Sequence, residues 1–302
     1  MKCSLNRRIV SAVASVALGV GGSGLVSGSA MADDGPRGDS YGDSWENSCS
    51  ERHDWWRELT AIGLTDDSKL IMFDVNDTDD ACTIGQVQLG DDTKLIGIDY
   101  RVQNGKLYGV GDQGGVYVLS TDDASAEKVS QLSVALDGSY FGVDFNPAAD
   151  RLRVVSDKGQ NLRHNVNDNT TVMDGTLTYP PSTDAAMGIT AAAYTNNDLD
   201  ADTATTLFDL DTSLDQIAIQ VPANAGSLSP TGKLGVDAGI DAGMDIYSIL
   251  DEGKTVYNKA FAVLQVDEHS TLYRVNVLTG QAYELGGFHQ KVVDISLPLD
   301  ED

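Results

Sequence analysis

An all-β fold is predicted, a β-propeller of five four-stranded blades in which the N- and C-terminal strands close the last blade. Three observations predict it. The 302-residue chain has 38 Asp among its 46 acidic residues, 31 Gly and only 7 Pro. Asp competes for backbone hydrogen bonds and Gly supplies turn conformations, so this composition favours turns joining short strands. Short β-rich runs recur in groups of four, and an unmatched run stands at each end of the series.

Taken in order, Leu59–Ile62, Leu70–Phe73 and Thr83–Val87 read as strands two to four of a blade without its first. A complete unit follows: Leu95–Tyr100, Lys106–Val110, Gly115–Leu119 and the weaker Glu127–Leu132. The next is Tyr140–Phe145, Arg151–Val155, Asn161–His164 and Thr171–Met173. The third runs through Ile189–Tyr194, Thr206–Phe208 and Gln216–Ile219 to a Gly/Ser-rich segment. Gly243–Tyr247, Ala260–Leu264, Thr271–Val275 and Ala282–Leu285 form the fourth, and Val292–Leu297 is a first strand with nothing after it. The anchors Asp99, Asp144, Ala193, Asp245 and Asp294 are spaced by 45, 49, 52 and 49 residues. A period near fifty with four strands per unit is the mark of a propeller. A β-sandwich explains short strands equally well, but not the unmatched strand at each end.

The formal net charge of -26 excludes a nucleic-acid partner, which needs basic surface, and excludes attraction to anionic membranes. With hydrophobic residues at 41%, the chain can build a sizeable core. Residues 1–32 read as a signal peptide: Lys2, Arg7 and Arg8 precede the apolar run Ile9–Val20, and Ala30-Met31-Ala32 forms an A-x-A cleavage site. Glycines interrupt the apolar run too early for a spanning helix, so no transmembrane anchor remains in the mature chain. Arg7-Arg8 leaves twin-arginine export open beside the general route. Cleavage removes three positive charges and no acid, taking the net charge from -26 to -29. Residues 33–57 read as a flexible acidic leader and 58–302 as the propeller, secreted or envelope-associated and monomeric. Two cysteines remain, Cys49 and Cys82, expected to form a disulfide in an oxidising compartment.

Several segments are too particular for generic strand chemistry. They are Gly142–Pro147 (GVDFNP), Asp150–Val154 (DRLRV), Gln160–Arg163 (QNLR), Ala192–Asn197 (AAYTNN) and Thr206–Asp211 (TLFDLD). With Leu95–Ile98 and Lys106–Val110, they resemble the bacterial family called domain of unknown function 4394 over roughly residues 58–297. The resemblance implies a secreted or envelope-associated propeller-like domain and supplies no catalytic residue or cofactor.

Three sets of side chains are candidates for chemistry. Asp99, Asp144, Asp245 and Asp294 recur on first strands; converging at the axis, they could hold a hard cation or run acid–base chemistry on a sugar. Equally, each could hydrogen-bond backbone as a repeat-specific structural element, and Ala193 interrupts the set. Asp198, Asp200 and Asp202, with Asp209 at the twelfth place, resemble a calcium loop, although Thr203 stands where that loop needs Gly. The alternative is a solvated acidic loop. Calcium is the one cofactor suggested. Arg151, Arg153 and Arg163 concentrate three of the 17 basic residues left after cleavage, and could clamp an anionic ligand or pair with Asp144, Asp150 and Asp157. No G-x-S-x-G elbow, H-E-x-x-H or P-loop is present. The functional expectation is a non-catalytic module binding an unidentified extracellular ligand or protein. The alternative is a glycan- or lactone-active hydrolase using axial carboxylates, with calcium.

Overall fold

A computed structural model describes Cys49 and residues 59–300. The segments expected to be a signal peptide and a leader, apart from Cys49, lie outside the described residues, as do residues 58 and 301–302. Among the described residues, twenty strands form five four-stranded antiparallel sheets. Blade I takes β20 (Val292–Ser296) as its inner strand, followed outward by β1 (Thr60–Thr65), β2 (Lys69–Asp74) and β3 (Asp77–Gln86). Blade II is β4 (Leu95–Arg101), β5 (Lys106–Gly111), β6 (Gly115–Leu119) and β7 (Ala126–Gln131). Blade III is β8 (Phe141–Asn146), β9 (Arg151–Ser156), β10 (Asn161–Asn165) and β11 (Thr170–Met173). Blade IV is β12 (Ile189–Tyr194), β13 (Leu207–Asp211), β14 (Gln216–Gln220) and β15 (Leu228–Lys233). Blade V is β16 (Ala242–Asp251), β17 (Lys254–Val266), β18 (His269–Val275) and β19 (Ala282–Gly287). The unmatched strands at the two ends thus meet: Gly63 pairs with Ile295 and Ile62 with Ser296, which removes the edges they would otherwise expose.

The blades carry no separate cores. Five apolar clusters lie between neighbours, such as Ile62, Leu64 and Leu70 of blade I against Leu95, Ile98 and Leu107 of blade II. Each strand is therefore apolar on both faces where it enters two such clusters. Blade V extends further than the sequence suggests. Its β16–β17 hairpin continues through Tyr247↔Lys259 to Asp251↔Lys254, turning at Glu252 and Gly253, both at positive φ. A two-residue turn of that kind matches the strand twist, so pairing persists beyond the buried zone with Val256 and Tyr257 exposed.

Inner strands approach closely where Gly recurs two residues before the axial Asp. A Cβ at Gly142 would fall 2.5 Å from the Ala192 nitrogen, a contact backbone cannot relieve by rotating a side chain. Gly142→Ala should destabilise by about 1–3 kcal/mol, whereas Gly90→Ala, with open space around it, should change little. Thermal melts of the two variants check this; equal midpoints would contradict it. Cys49 and Cys82 form the expected disulfide, with Cα atoms 5.1 Å apart and 33 residues of separation. Closing such a loop stabilises by about 2–4 kcal/mol.

Candidate functional site: the axis and its mouth

Beneath the mouth of the propeller, the inner strands interlock through side chain to backbone bonds. Phe145 N donates to Asp99 Oδ2 at 2.7 Å, and the Tyr194 amide donates to Asp144. Leu297 N donates to Asp245 Oδ2 at 2.6 Å, and Tyr100 N donates to Ser296 Oγ at 3.1 Å. Each acceptor thus takes the amide one residue past the corresponding position of the next blade. Ser296, not Asp294, holds the fifth place in this ring. Ala193 has no acceptor to offer Ile246 N, which donates instead to Asp245 Oδ1 of its own blade. Asp294 lies two residues earlier on the same strand, and its Oδ2 accepts from Ile98 N at 2.8 Å. It occupies the space left by Gly97 and Gly243, where added Cβ atoms would meet its carboxylate.

All four aspartates are buried. Burial pushes the Asp99, Asp144 and Asp294 carboxyls well above the usual range, and neighbouring carboxylates add repulsion. Asp245 is raised to about 6 by burial, opposed by its backbone donors. Asp99, Asp144 and Asp245 can each present one oxygen within 4.8 Å of the others, a spacing a cation could bridge. Each is nevertheless already engaged by a neighbouring amide, and none lines the cavity at the mouth.

That cavity, of about 330 Å³, opens where the inner strands begin. One ring of equivalent residues surrounds it: Ile96, Phe141, Thr190, Ala242 and Val293, each directly before the Gly, Ala or Asp two residues short of the axial ring. Three of the five are β-bulge residues. Leu95 opposes Gly111 and Gly97 opposes Val110, leaving Ile96 extra; Thr190 and Val293 are displaced in the same way. A bulge re-aims the side chain of its unpaired residue, here at the channel mouth in blades I, II and IV. Thr190 Oγ1 is buried with no hydrogen-bond partner among the described residues. Nearer the rim, Lys291 Nζ lies 2.9 Å from Asp241 and 3.9 Å from Asp66. Lys94, Ser139 and Tyr140 also line the rim, and Lys94 has no ion-pair partner among the described residues.

The calcium-loop residues do not assemble. Asp198 accepts from Asp200 N and from Thr255 N, and Asp200 pairs with Lys254 at 2.9 Å, so the loop docks the tip of the β16–β17 hairpin. Asp202 N donates to Asp200 Oδ1. Asp209 sits instead within β13, opposite Ala192 and Ala218, on the face turned to blade III. Both of its oxygens are buried and unpartnered among the described residues, and burial raises it to about 8 against the pull of Arg153.

The arginines divide between the interior and the surface. Arg153 and Arg163 are register partners and converge on Asp174, not on the three aspartates that the sequence suggested. Arg153 is 2% exposed and donates to Asp174, Asn161, Asn224 and Tyr194, tying blade III to blade IV. Arg151 stays apart, donating to Ala149 and Asp150 carbonyls. Asp150 is taken by Arg101 in a bidentate pair at 2.7 and 2.5 Å, which ties blade II to blade III. The structure also joins Ser130 Oγ to His164 Nε2 at 2.7 Å, with Thr171 on the other ring nitrogen. This pair is buried and lines neither described cavity. Sequence spacing gives no sign of it, since its members lie on different blades.

The family described as Domain of unknown function (DUF4394) matches residues 69–296, most of the chain. The chain belongs to this family. Its match runs from the third strand of blade I, β2, to the closing strand β20, so it covers nearly all of the propeller. Comparison with curated proteins finds no match. Among solved structures, a Bacteroides thetaiotaomicron protein of unknown function is similar at 13% identity and TM-score 0.46, covering 79% of this chain and 61% of that one. An auxiliary nutrient binding protein from the same organism is similar at 10% identity and TM-score 0.43, covering 78% and 63%. Myxococcus xanthus glutaminyl cyclase is similar at 9% identity and TM-score 0.42, covering 78% and 84%. The chain thus spans about three-fifths of the length of the first two.

Proposed function

We propose that this family member is an exported, non-catalytic binding module whose ligand enters the mouth of the propeller. The observation that carries this reading is the bulged ring. Three blades sacrifice regular pairing at the same place, and the residues released line one cavity. Its volume lies at the lower end of the range for small-molecule sites. The axial carboxylates support binding over hydrolysis, because they are engaged by backbone amides away from that cavity. Export is supported by the sequence of residues 1–32 and by the Cys49–Cys82 disulfide, which suits an oxidising compartment. Among the described residues no helix is long and apolar enough to cross a membrane.

The test combines binding and turnover on a panel of glycans, lactones and small metabolites. At least one compound should raise the melting temperature, Lys291→Ala should abolish the shift, and no compound should be consumed. Turnover lost in Asp99→Asn or Asp144→Asn would replace this reading with an axial hydrolase. Export is checked by expressing the full chain and sequencing the N-terminus of the extracytoplasmic product, which should begin at Asp33; a full-length cytoplasmic product would refute export.

A further inference from the structure

The mouth carries enough chemistry to name the class of its ligand, an inference that rests on the binding reading above. Its charges cancel: Asp66 and Asp241 balance Lys94 and Lys291, on a chain whose formal net charge is -26. Both acids lie beside Lys291, so a cationic ligand would have to compete with that ammonium. An anionic ligand would meet Lys94, but also two carboxylates, inside a protein whose overall field repels it. A neutral ligand pays neither penalty.

The arrangement of polar atoms narrows this further. Each hydroxyl of a sugar donates one hydrogen bond and accepts others, so its site needs donors and acceptors interleaved. The Lys291 ammonium lies between the Asp241 and Asp66 carboxylates, and Lys94, Ser139 and Tyr140 line the same cavity. Deeper in, Ile96, Phe141 and Val293 present apolar surface of the kind that covers the C–H face of a pyranose ring. Within this ring Thr190 supplies the one hydroxyl. Its Oγ1 is buried, lacks a partner among the described residues and belongs to a residue that a bulge has turned out of regular pairing. A buried hydroxyl left unpaired is costly, and a ligand hydroxyl entering the ring would relieve that cost. We infer that the propeller mouth is a site for a neutral saccharide of one or two rings, seated on Phe141 and hydrogen-bonded by Thr190 and the Lys291–Asp241 pair.

Calorimetric titration of the exported protein tests this with neutral mono- and disaccharides, matched uronic acids and amino sugars, and free amino acids. A neutral sugar should bind in preference to its charged counterparts. Thr190→Val should weaken it about tenfold, the loss of one hydrogen bond, and Phe141→Ala at least as much, with melting temperature recorded for each. Lys94→Ala, at an exposed side chain, serves as a rim variant that leaves the inner ring intact and should weaken binding as well. Binding of charged ligands alone, lost in Lys94→Ala, would overturn the saccharide class while leaving the mouth as the site. Sugar binding indifferent to all three substitutions would place it elsewhere and overturn the proposal. Failure of every class to bind would overturn the binding reading itself.

Discussion

The folded protein should lose stability as pH rises from about 4 to 8, the reverse of ordinary acid denaturation. Asp99, Asp144 and Asp294 are buried with pKa values well above the usual range; Asp245 is raised to about 6 and Asp209 to about 8. In the unfolded chain an aspartate releases its proton near pH 4. The folded chain holds these protons longer, so it binds more of them across that window. Stability must then fall with rising pH, by up to about 1.4 kcal/mol per pH unit for each group still titrating differently. Self-repulsion of the acidic surface acts in the same direction. Asp209→Asn separates the two, because it removes one buried titration and leaves the surface intact. Denaturant unfolding at several pH values should show the variant more stable than wild type at pH 8, with a flatter pH dependence above pH 5. The exposed control Asp122→Asn should keep the wild-type slope. A wild-type stability that is constant or rises between pH 5 and 8 would contradict the burial of these carboxyls in protonated form.

Removal of Arg153 should cause the largest loss among single substitutions in the inter-blade polar contacts. The guanidinium is buried and serves Asp174, Asn161, Asn224 and Tyr194 at once. Arg153→Met retains apolar bulk but leaves Asn161, Asn224 and Tyr194 without this donor and Asp174 with Arg163 alone, at a site where the guanidinium is 2% exposed. Breaking a buried pair from one side costs about 3–5 kcal/mol, which for a domain of this size is a fall in melting temperature on the order of 10 °C. Arg163 shares Asp174 but is 33% exposed and makes no other contact of this kind among the described residues. Arg163→Met should therefore cost about 1 kcal/mol or less. Adding Asp174→Leu to Arg153→Met should bring no recovery, because Arg163 still holds that carboxylate and would lose its partner. Equal effects of the two arginine substitutions would refute the assignment of Arg153 as the link between blades III and IV.

Arg153 also marks the boundary of what could be read along the chain. Its strand and its pairing with Arg163 follow from alternation and from the short turn between β9 and β10, both local properties. Its partners Asn224 and Tyr194 lie on the next blade, 71 and 41 residues away, and nothing in their spacing announces them. The axial aspartates show the same division. Their recurrence is plain in Gly97-Ile-Asp99, Gly142-Val-Asp144 and Gly243-Met-Asp245. The fifth blade reads Asp294-Ile-Ser296, so counting aspartates chose the wrong member of the ring. Asp209 completes a plausible calcium spacing, yet it lies within a strand, and the pleat turns it away from the loop that holds Asp198 and Asp200.

The sequence by itself determined the strands, the period, the number of blades and the closure of the ends. These depend on turn chemistry and two-residue alternation, which neighbouring residues impose on one another. Only the tertiary structure decided that four buried aspartates serve as inter-blade acceptors, that Asp209 is left without a partner among the described residues, and that Ile96, Thr190 and Val293 meet at one mouth. A bulge depends on the register between two strands, and a ring of bulges depends on five blades closing around an axis. Neither is a property of any single stretch of chain.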